Sequence, residues 1–196
     1  MLITNFGDLK AALSRYMFHS RFVPDYDLAT SNFEKAANRR LRVRQMETST
    51  PLTTVAGAVA LPTDYLLWRT VLDPRGDELD YVHPAYLEQA DGVFTIEGNT
   101  FKTNPADDTP DGYEFHYYQK IPTITGANTA TNWLLTEYPD AYEFGAVTEL
   151  HVLGRNREEA ELFKQRRDEV LVEIIQLSAL TTGATSTKVR ATPEYF

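Results

Sequence analysis

Hydrophobic residues recur at helical spacing near both ends of the chain. The N-terminal positions that share one helical face are Phe6, Leu9, Leu13 and Tyr16. A second helix is predicted from Pro24, with Asp25 in its first turn and arginines near its C-terminal end. Helical spacing returns after residue 132, first around Ala146 and then over residues 163–180, with a break at residues 154–156. The pattern therefore predicts two N-terminal and two C-terminal helices.

Between these helical regions the hydrophobic period changes to two. The alternating segments, broken by Pro, Gly and Thr, are residues 53–61, 66–72, 79–82, 94–96, 100–103 and 113–120. The clearest prediction is a hairpin around Gly98 and Asn99, because these residue types tolerate the positive φ that a two-residue turn requires. This middle region is expected to form a small antiparallel sheet.

Together these patterns predict an α+β protein that is mainly a helical bundle with a small antiparallel β region inserted into it. The expected divisions are an N-terminal helical pair at 1–47, the β region at 48–122, C-terminal helices that complete the bundle at 123–182, and an extended C-terminal arm at 183–196. In this arrangement both pairs of helices share one core.

Composition narrows the classes of protein that fit. At 196 residues the chain suits one domain with an insertion, and its lack of cysteine excludes disulfides, thiolate nucleophiles and cysteine-based metal sites. The formal net charge of −9 opposes non-specific binding to duplex DNA, which depends on lysine and arginine. The apolar stretches fall far short of the roughly 20 residues that cross a bilayer, so we expect a soluble protein without a membrane span.

Residue types that often carry catalysis form no recognisable motif. The histidines are scattered at His19, His83, His116 and His151, and no glycine-rich phosphate loop follows a strand. Carboxylates at residues 158–169 share their helix with lysine and arginine, which favours a solvated, ion-paired face over an acid–base pair. We therefore predict no metal, no cofactor and no enzymatic activity.

A single basic cluster, formed by Arg39, Arg40, Arg42 and Arg44, follows the predicted second helix. It fits equally well a helix C-terminus stabilised by positive charge, with the arginines pairing to Glu47 and nearby carboxylates, and a contact between subunits. Contact with a DNA backbone is less favoured, because the chain is acidic overall. A module that binds nucleic acid through this cluster and the aromatic strand at 113–118 stays as an alternative from another class.

The C-terminal arm carries two aromatic residues, Tyr195 and Phe196, at its end. A terminus is usually unordered. Aromatic anchors on an extended segment are, however, typical of a peptide that becomes ordered on a partner surface. The arm is therefore a candidate binding segment.

A series of short motifs resembles a known family. In chain order they are residues 6–9 (Phe-Gly-Asp-Leu), 38–47 (Asn-Arg-Arg-Leu-Arg-Val-Arg-Gln-Met-Glu), 61–66 (Leu-Pro-Thr-Asp-Tyr-Leu), 81–84 (Tyr-Val-His-Pro), 94–98 (Phe-Thr-Ile-Glu-Gly), 117–122 (Tyr-Tyr-Gln-Lys-Ile-Pro) and 132–140 (Asn-Trp-Leu-Leu-Thr-Glu-Tyr-Pro-Asp). Over roughly residues 4–180 the chain resembles the adaptor family of head-to-tail connector proteins of tailed double-stranded DNA bacteriophages.

The resemblance implies a structural protein of the virion neck, assembled in the host cytoplasm. Adaptors of this kind form a ring, typically of twelve copies, under the portal protein, and a stopper or tail protein attaches below. Genomic DNA would pass through an acidic channel without specific binding. The resemblance also implies that the arm docks on the portal, with the residues Lys188, Val189, Arg190, Pro193, Tyr195 and Phe196. A stopper, head-completion or tail-tube protein is the alternative within the structural class.

Overall fold

The computed structural model describes residues 2–17, 24–89, 91–104 and 112–183. The chain divides into two compact units. The helical unit comprises Met1–Gln45 and Ile121–Phe196, and the β unit comprises Met46–Lys120. None of the described helices is long and apolar enough to cross a membrane.

The helical unit contains five helices in its described residues: α1 (Phe6–Tyr16), α2 (Tyr26–Arg40), α3 (Trp133–Glu137), α4 (Pro139–Leu153) and α5 (Arg157–Gly183). Four of them begin at a polar side chain that accepts a hydrogen bond from a free backbone N–H, namely Asn5 for α1, Asp25 for α2, Asn132 for α3 and Asn156 for α5. These local signals fix where the helices start.

Helix α4 packs against α1, α2, α3 and α5. Its sequence is apolar on most faces, as expected of a helix surrounded by others. Gly145 lets α2 approach closely, since a Cβ atom at this position would lie 2.1 Å from Cδ2 of Phe33. The rings of Phe33 and Tyr142 meet edge to face, with 5.0 Å between their centroids. The glycine thus places one aromatic pair at the centre of the helical unit.

The β unit contains seven strands in its described residues: β1 (Glu47–Leu52), β2 (Ala58–Ala60), β3 (Tyr65–Leu72), β4 (Asp80–Tyr81), β5 (Val93–Glu97), β6 (Thr100–Thr103) and β7 (Tyr113–Gln119). They form a three-stranded sheet of order β1-β7-β3 and a four-stranded sheet of order β2-β6-β5-β4. Every neighbouring pair is antiparallel except β4 and β5, which are parallel.

Aromatic side chains from both sheets form the core of the β unit. Phe94 and Phe101 stack with 5.6 Å between their centroids, and Phe101 also meets Phe115 of the other sheet at 5.8 Å. Alternation along β7 buries Tyr113, Phe115 and Tyr117 on one face. The aromatic strand therefore packs within its own unit.

The predicted hairpin is confirmed. Strands β5 and β6 pair in antiparallel register, and Glu97 lies opposite Thr100. Gly98 has a φ of 60°, while Asn99 does not take a positive φ, so glycine supplies the first central position, as in a type II′ turn.

The expectation of an α+β protein is confirmed, but the prediction of mainly a helical bundle with a small antiparallel β region is wrong. The β unit has two sheets and a parallel pair, and α3 is an additional helix. Strand β1 was missed because it is mostly polar and contains Pro51, so it lacks an apolar alternation. It becomes a strand through backbone pairing with β7, which lies more than sixty residues further along the chain.

Candidate functional site

The basic cluster lies at the C-terminal end of α2, where Arg40 forms an ion pair with Asp168 of α5. Arg167 also contacts the Asp168 carboxylate, at 2.9 Å from Nε and 2.8 Å from NH2. Burial raises the pKa of Asp168, but hydrogen bonds from both arginines outweigh burial and hold the pKa below its ordinary value. This carboxylate joins the end of α2 to α5.

Arg42 caps the C-terminal end of α2. Its NH1 donates to the carbonyl of Asn38 at 2.7 Å and to the carbonyl of Leu41, so it satisfies carbonyls that the end of α2 leaves open. Arg39 and Arg44 are exposed. The backbone N–H of Arg44 donates to Oγ of Ser178 at 3.1 Å.

These contacts support the helix-end interpretation for Arg42. The cluster pairs with a carboxylate of its own unit through Arg40 and Asp168, whereas Glu47 forms an ion pair with Arg69 of β3. Contacts of the cluster between subunits remain a prediction, which Arg39 and Arg44 can best serve because both are exposed.

The predicted docking residues of the arm, Lys188, Val189, Arg190, Pro193, Tyr195 and Phe196, lie outside the described residues.

A buried polar network binds the segment that enters the helical unit after the β unit. Glu34 of α2 is 5% exposed, and its carboxylate accepts hydrogen bonds from the backbone N–H of Ile124 at 3.0 Å and from Oγ1 of Thr123 at 2.8 Å. The hydroxyl of Tyr142 in α4 donates to it at 3.1 Å. One turn later in α2, Oδ1 of Asn38 accepts from the N–H of Ile121 at 2.9 Å. Polar side chains of α2 thus satisfy backbone groups that no sheet or helix pairs.

Asn132 completes the network from the other end of the segment. Its Nδ2 donates to the carbonyl of Pro122 and to the hydroxyl of Tyr142, each at 2.6 Å, while its Oδ1 caps α3. The resembling motifs at 38–47, 117–122 and 132–140 therefore meet here through Asn38, Ile121, Pro122 and Asn132. Three motifs that are far apart in the sequence therefore belong to one hydrogen-bonded part of the helical unit. Sequence reasoning missed Glu34, because a single glutamate in a helix gives no signal of burial.

Electrostatics within this network are dominated by burial. Burial raises the pKa of Glu34, although the three hydrogen bonds that it accepts oppose the shift. Burial, followed by the charge of Glu34, also raises the pKa of Tyr142 far above its ordinary value. Tyr142 therefore stays a hydrogen-bond donor at any pH at which the protein is handled.

A second site missed by sequence reasoning is a cavity of about 360 Å³ lined by Tyr16, Met17, His151, Gly154, Asn156, Glu159 and Phe163. The imidazole of His151 lies parallel to the ring of Phe163, with 5.6 Å between centroids and 6° between planes. Tyr16 meets Phe163 edge to face at 5.3 Å. In the sequence His151 is one of several scattered histidines, and only the return of α5 past α4 brings these side chains together.

Within the described part of the chain no group of three or more His, Cys, Asp or Glu is placed to hold a metal ion. The polar networks found there join helices and connecting segments of the helical unit.

Comparison with known families identifies the chain more closely. The sequence model described as SU10 adaptor protein matches residues 4–190, nearly the whole chain, so the protein belongs to the SU10 adaptor family. It is a structural adaptor protein of a bacteriophage and a component of the virion, and it interacts with other neck, portal or tail proteins. The family is a structural one and is not known for enzymatic activity. No curated protein matches the sequence.

Proposed function

We propose that this protein is the ring-forming adaptor subunit of the head-to-tail connector, with about twelve copies bound beneath the portal protein and a stopper or tail protein below them. The observation that carries the proposal is the family match over residues 4–190. Genomic DNA would pass through the ring, and the net charge of −9 suits a channel that repels phosphates and does not retain them.

The proposed contact with the portal is residues 184–196, which are the C-terminal arm without Gly183, the last residue of α5. Lys188, Val189 and Arg190 fall within the family match, whereas Pro193, Tyr195 and Phe196 follow it. A short segment that combines cations with apolar anchors can pair with acidic residues and fill apolar pockets on a partner. The two parts of the arm can be tested separately.

Neighbouring subunits would meet in part through the arginine cluster. Arg39 and Arg44 are exposed at the C-terminal end of α2, and the acidic chain offers many carboxylates to pair with them. Arg40 and Arg42 would support this surface from within their own subunit, through Asp168 and the last carbonyls of α2.

The decisive experiment mixes purified portal with the intact protein, with a variant that ends after Gly183, and with a variant that ends after Arg190. Electron microscopy of the particles, together with co-sedimentation, reports whether a ring stacks on the portal. We expect a ring with the intact protein and none with the variant that ends after Gly183. The variant that ends after Arg190 measures how much the terminal aromatic residues contribute to portal binding.

Failure of the intact protein to associate with portal would contradict the proposal and would favour a stopper or tail-tube role. A parallel filter-binding titration with duplex DNA addresses the nucleic-acid alternative. Affinity that falls steeply with salt would support that alternative, whereas we expect no specific binding.

A further inference from the structure

The C-terminal half of α5 is apolar on more sides than its own unit covers. Only three of the eleven residues 170–180 are polar, yet Leu171 and Ile174 are the only two of them that are buried. Large apolar side chains of this segment that stay exposed include Val172, Ile175 and Leu180. A helix that is apolar on most sides is ordinarily surrounded by other elements, and adjoining exposed apolar residues mark an interaction surface. This part of α5 therefore indicates a docking surface.

One exposed side of α5, here called the basic side, combines apolar residues with arginines. Its apolar residues are Val172, Ile175 and Ala179, which are exposed and share one side of the helix because they are three or four positions apart. Asp168 continues this row one turn earlier and forms an ion pair with Arg40 of α2. The C-terminal end of α2 therefore lies along the basic side.

Positive charge exceeds negative charge where α2 ends on the basic side. Three arginines and two carboxylates meet there, namely Arg39, Arg40, Arg167, Glu149 and Asp168. Arg44 adds another positive charge, since it is exposed and its N–H donates to Ser178, one turn after Ile175. In the described part of the chain the guanidinium of Arg44 forms no ion pair. The basic side thus has an apolar centre with cations at its rim.

A second exposed side of α5, here called the acidic side, combines leucines with glutamates. It consists of Leu162, Glu169, Glu173 and Leu180, which are all exposed. These residues follow one another at intervals of seven, four and seven positions, so they share one side of the helix. The acidic side therefore runs along most of the length of α5.

The glutamates of the acidic side keep their negative charges uncompensated. Among the residues that the structure describes, neither Glu169 nor Glu173 takes part in an ion pair. The nearby cations of α5 are engaged elsewhere, because Lys164 pairs with Glu161 and Arg166 lies over an aromatic ring of α4. The two sides are thus complementary in charge, and both carry exposed apolar residues.

We propose that the basic side of one copy of this protein binds the acidic side of a second copy. Val172 and Ile175 pack against the leucines of the neighbouring α5, and Arg44 approaches its glutamates at the rim. An apolar centre with a charged rim is the usual anatomy of a protein interface. The occupant is a second copy because both halves of the contact, with opposite charge, are present on this one chain.

The contact joins two different surfaces, so it is heterologous and leaves one surface of each terminal copy open for the next subunit. Contacts of this kind close into a ring when the rotation between copies allows it. The inference rests on the proposed function, because it names the interface between ring subunits. Its test uses no portal, so that failure of this contact and failure of portal binding are told apart.

The test is sedimentation velocity of the full-length protein from about 10 µM to about 1 mM, a range that brackets a dissociation constant on the order of 100 µM. The intact protein should form assemblies larger than dimers as its concentration rises. Ile175→Glu on the basic side and Glu173→Arg on the acidic side should each weaken association about tenfold or more. Circular dichroism checks that both variants stay folded.

Two exposed residues outside both sides provide matched controls. Leu28 of α2 is 43% exposed and matches Ile175 at 39%, and Glu88 of the β unit matches Glu173. Leu28→Glu and Glu88→Arg should leave association unchanged. An equimolar mixture of Ile175→Glu and Glu173→Arg should form pairs and nothing larger, because each variant keeps the side that the other has lost.

Intact protein that stays monomeric at about 1 mM, or that stops at dimers, would overturn the proposal. So would equal weakening by the controls, or a mixture that does not pair. If only a variant ending after Gly183 associated, residues 184–196 of the same chain would cover the surface, and a second copy would be ruled out. A ring that still stacks on portal when every subunit carries Ile175→Glu would overturn this contact and leave the proposed function standing. Association of an intact protein that does not bind portal would support this contact and contradict the proposed function.

Discussion

Glu34 is predicted to be the most sensitive polar position of the helical unit. In Glu34→Ala the N–H of Ile124 and the hydroxyl of Tyr142 both lose their acceptor, and both residues are fully buried. Each buried group left without a partner costs about 1–3 kcal/mol. Thr123 is exposed and can bond to water instead. Since the substitution also relieves the burial of a carboxylate, we expect a net loss of about 2–4 kcal/mol in the free energy of unfolding.

Glu34→Gln separates shape from charge. The amide keeps one oxygen as an acceptor, so the loss should be about 1–2 kcal/mol. The pKa of Glu34 is raised in the folded protein, so the folded state binds a proton more readily than the unfolded chain does. Its contribution to stability is therefore greatest below the ordinary pKa of 4.5 and falls as the pH rises through the folded pKa. The free energy of unfolding of the wild type should therefore exceed that of Glu34→Gln by more at pH 4 than at pH 7.

Urea denaturation followed by tryptophan fluorescence can measure these effects in the helical unit alone. The chain has two tryptophans, Trp68 in the β unit and Trp133 in the helical unit, so a Trp68→Phe background leaves one reporter. Lys35→Ala, an exposed neighbour on α2, serves as the control and should change stability by less than about 0.5 kcal/mol. A loss for Glu34→Ala no larger than that of the control would refute the reasoning.

Three further predictions concern packing, backbone strain and titration. Gly145→Ala should lower the free energy of unfolding, measured by thermal unfolding, by about 1–3 kcal/mol or more, because its Cβ would overlap the ring of Phe33. Unchanged stability would mean that α2 and α4 can move apart without loss of packing energy. Ala56 has a φ of 52° and Gly98 a φ of 60°, so Ala56→Gly should stabilise the β unit and Gly98→Ala destabilise it, each by about 1 kcal/mol in urea denaturation; effects of equal sign would contradict this. Burial lowers the pKa of His151, so its NMR titration should have a midpoint below 6.5, and stability should decline as the pH falls below that ordinary value; a midpoint above it would exclude a buried neutral ring.

The sequence by itself determined the local elements. Apolar spacing located helices α1, α2, α4 and α5, and Gly98 located the tight hairpin. These features depend on residues that are close in the chain, so a single sequence contains the information. The ordered motifs also indicated the adaptor family that the match over residues 4–190 establishes.

Only the tertiary structure decided which distant residues meet. Strand β1 exists because β7 supplies its hydrogen-bond partners, and the parallel pairing of β4 with β5 adds to a β unit larger than the pattern suggested. Glu34 and His151 look ordinary in the sequence, and their surroundings come from distant segments: Glu34 accepts a hydrogen bond from Tyr142, 108 positions away. Burial, charge and partner are properties of the packed fold, and the spacing of residues along the chain does not encode them.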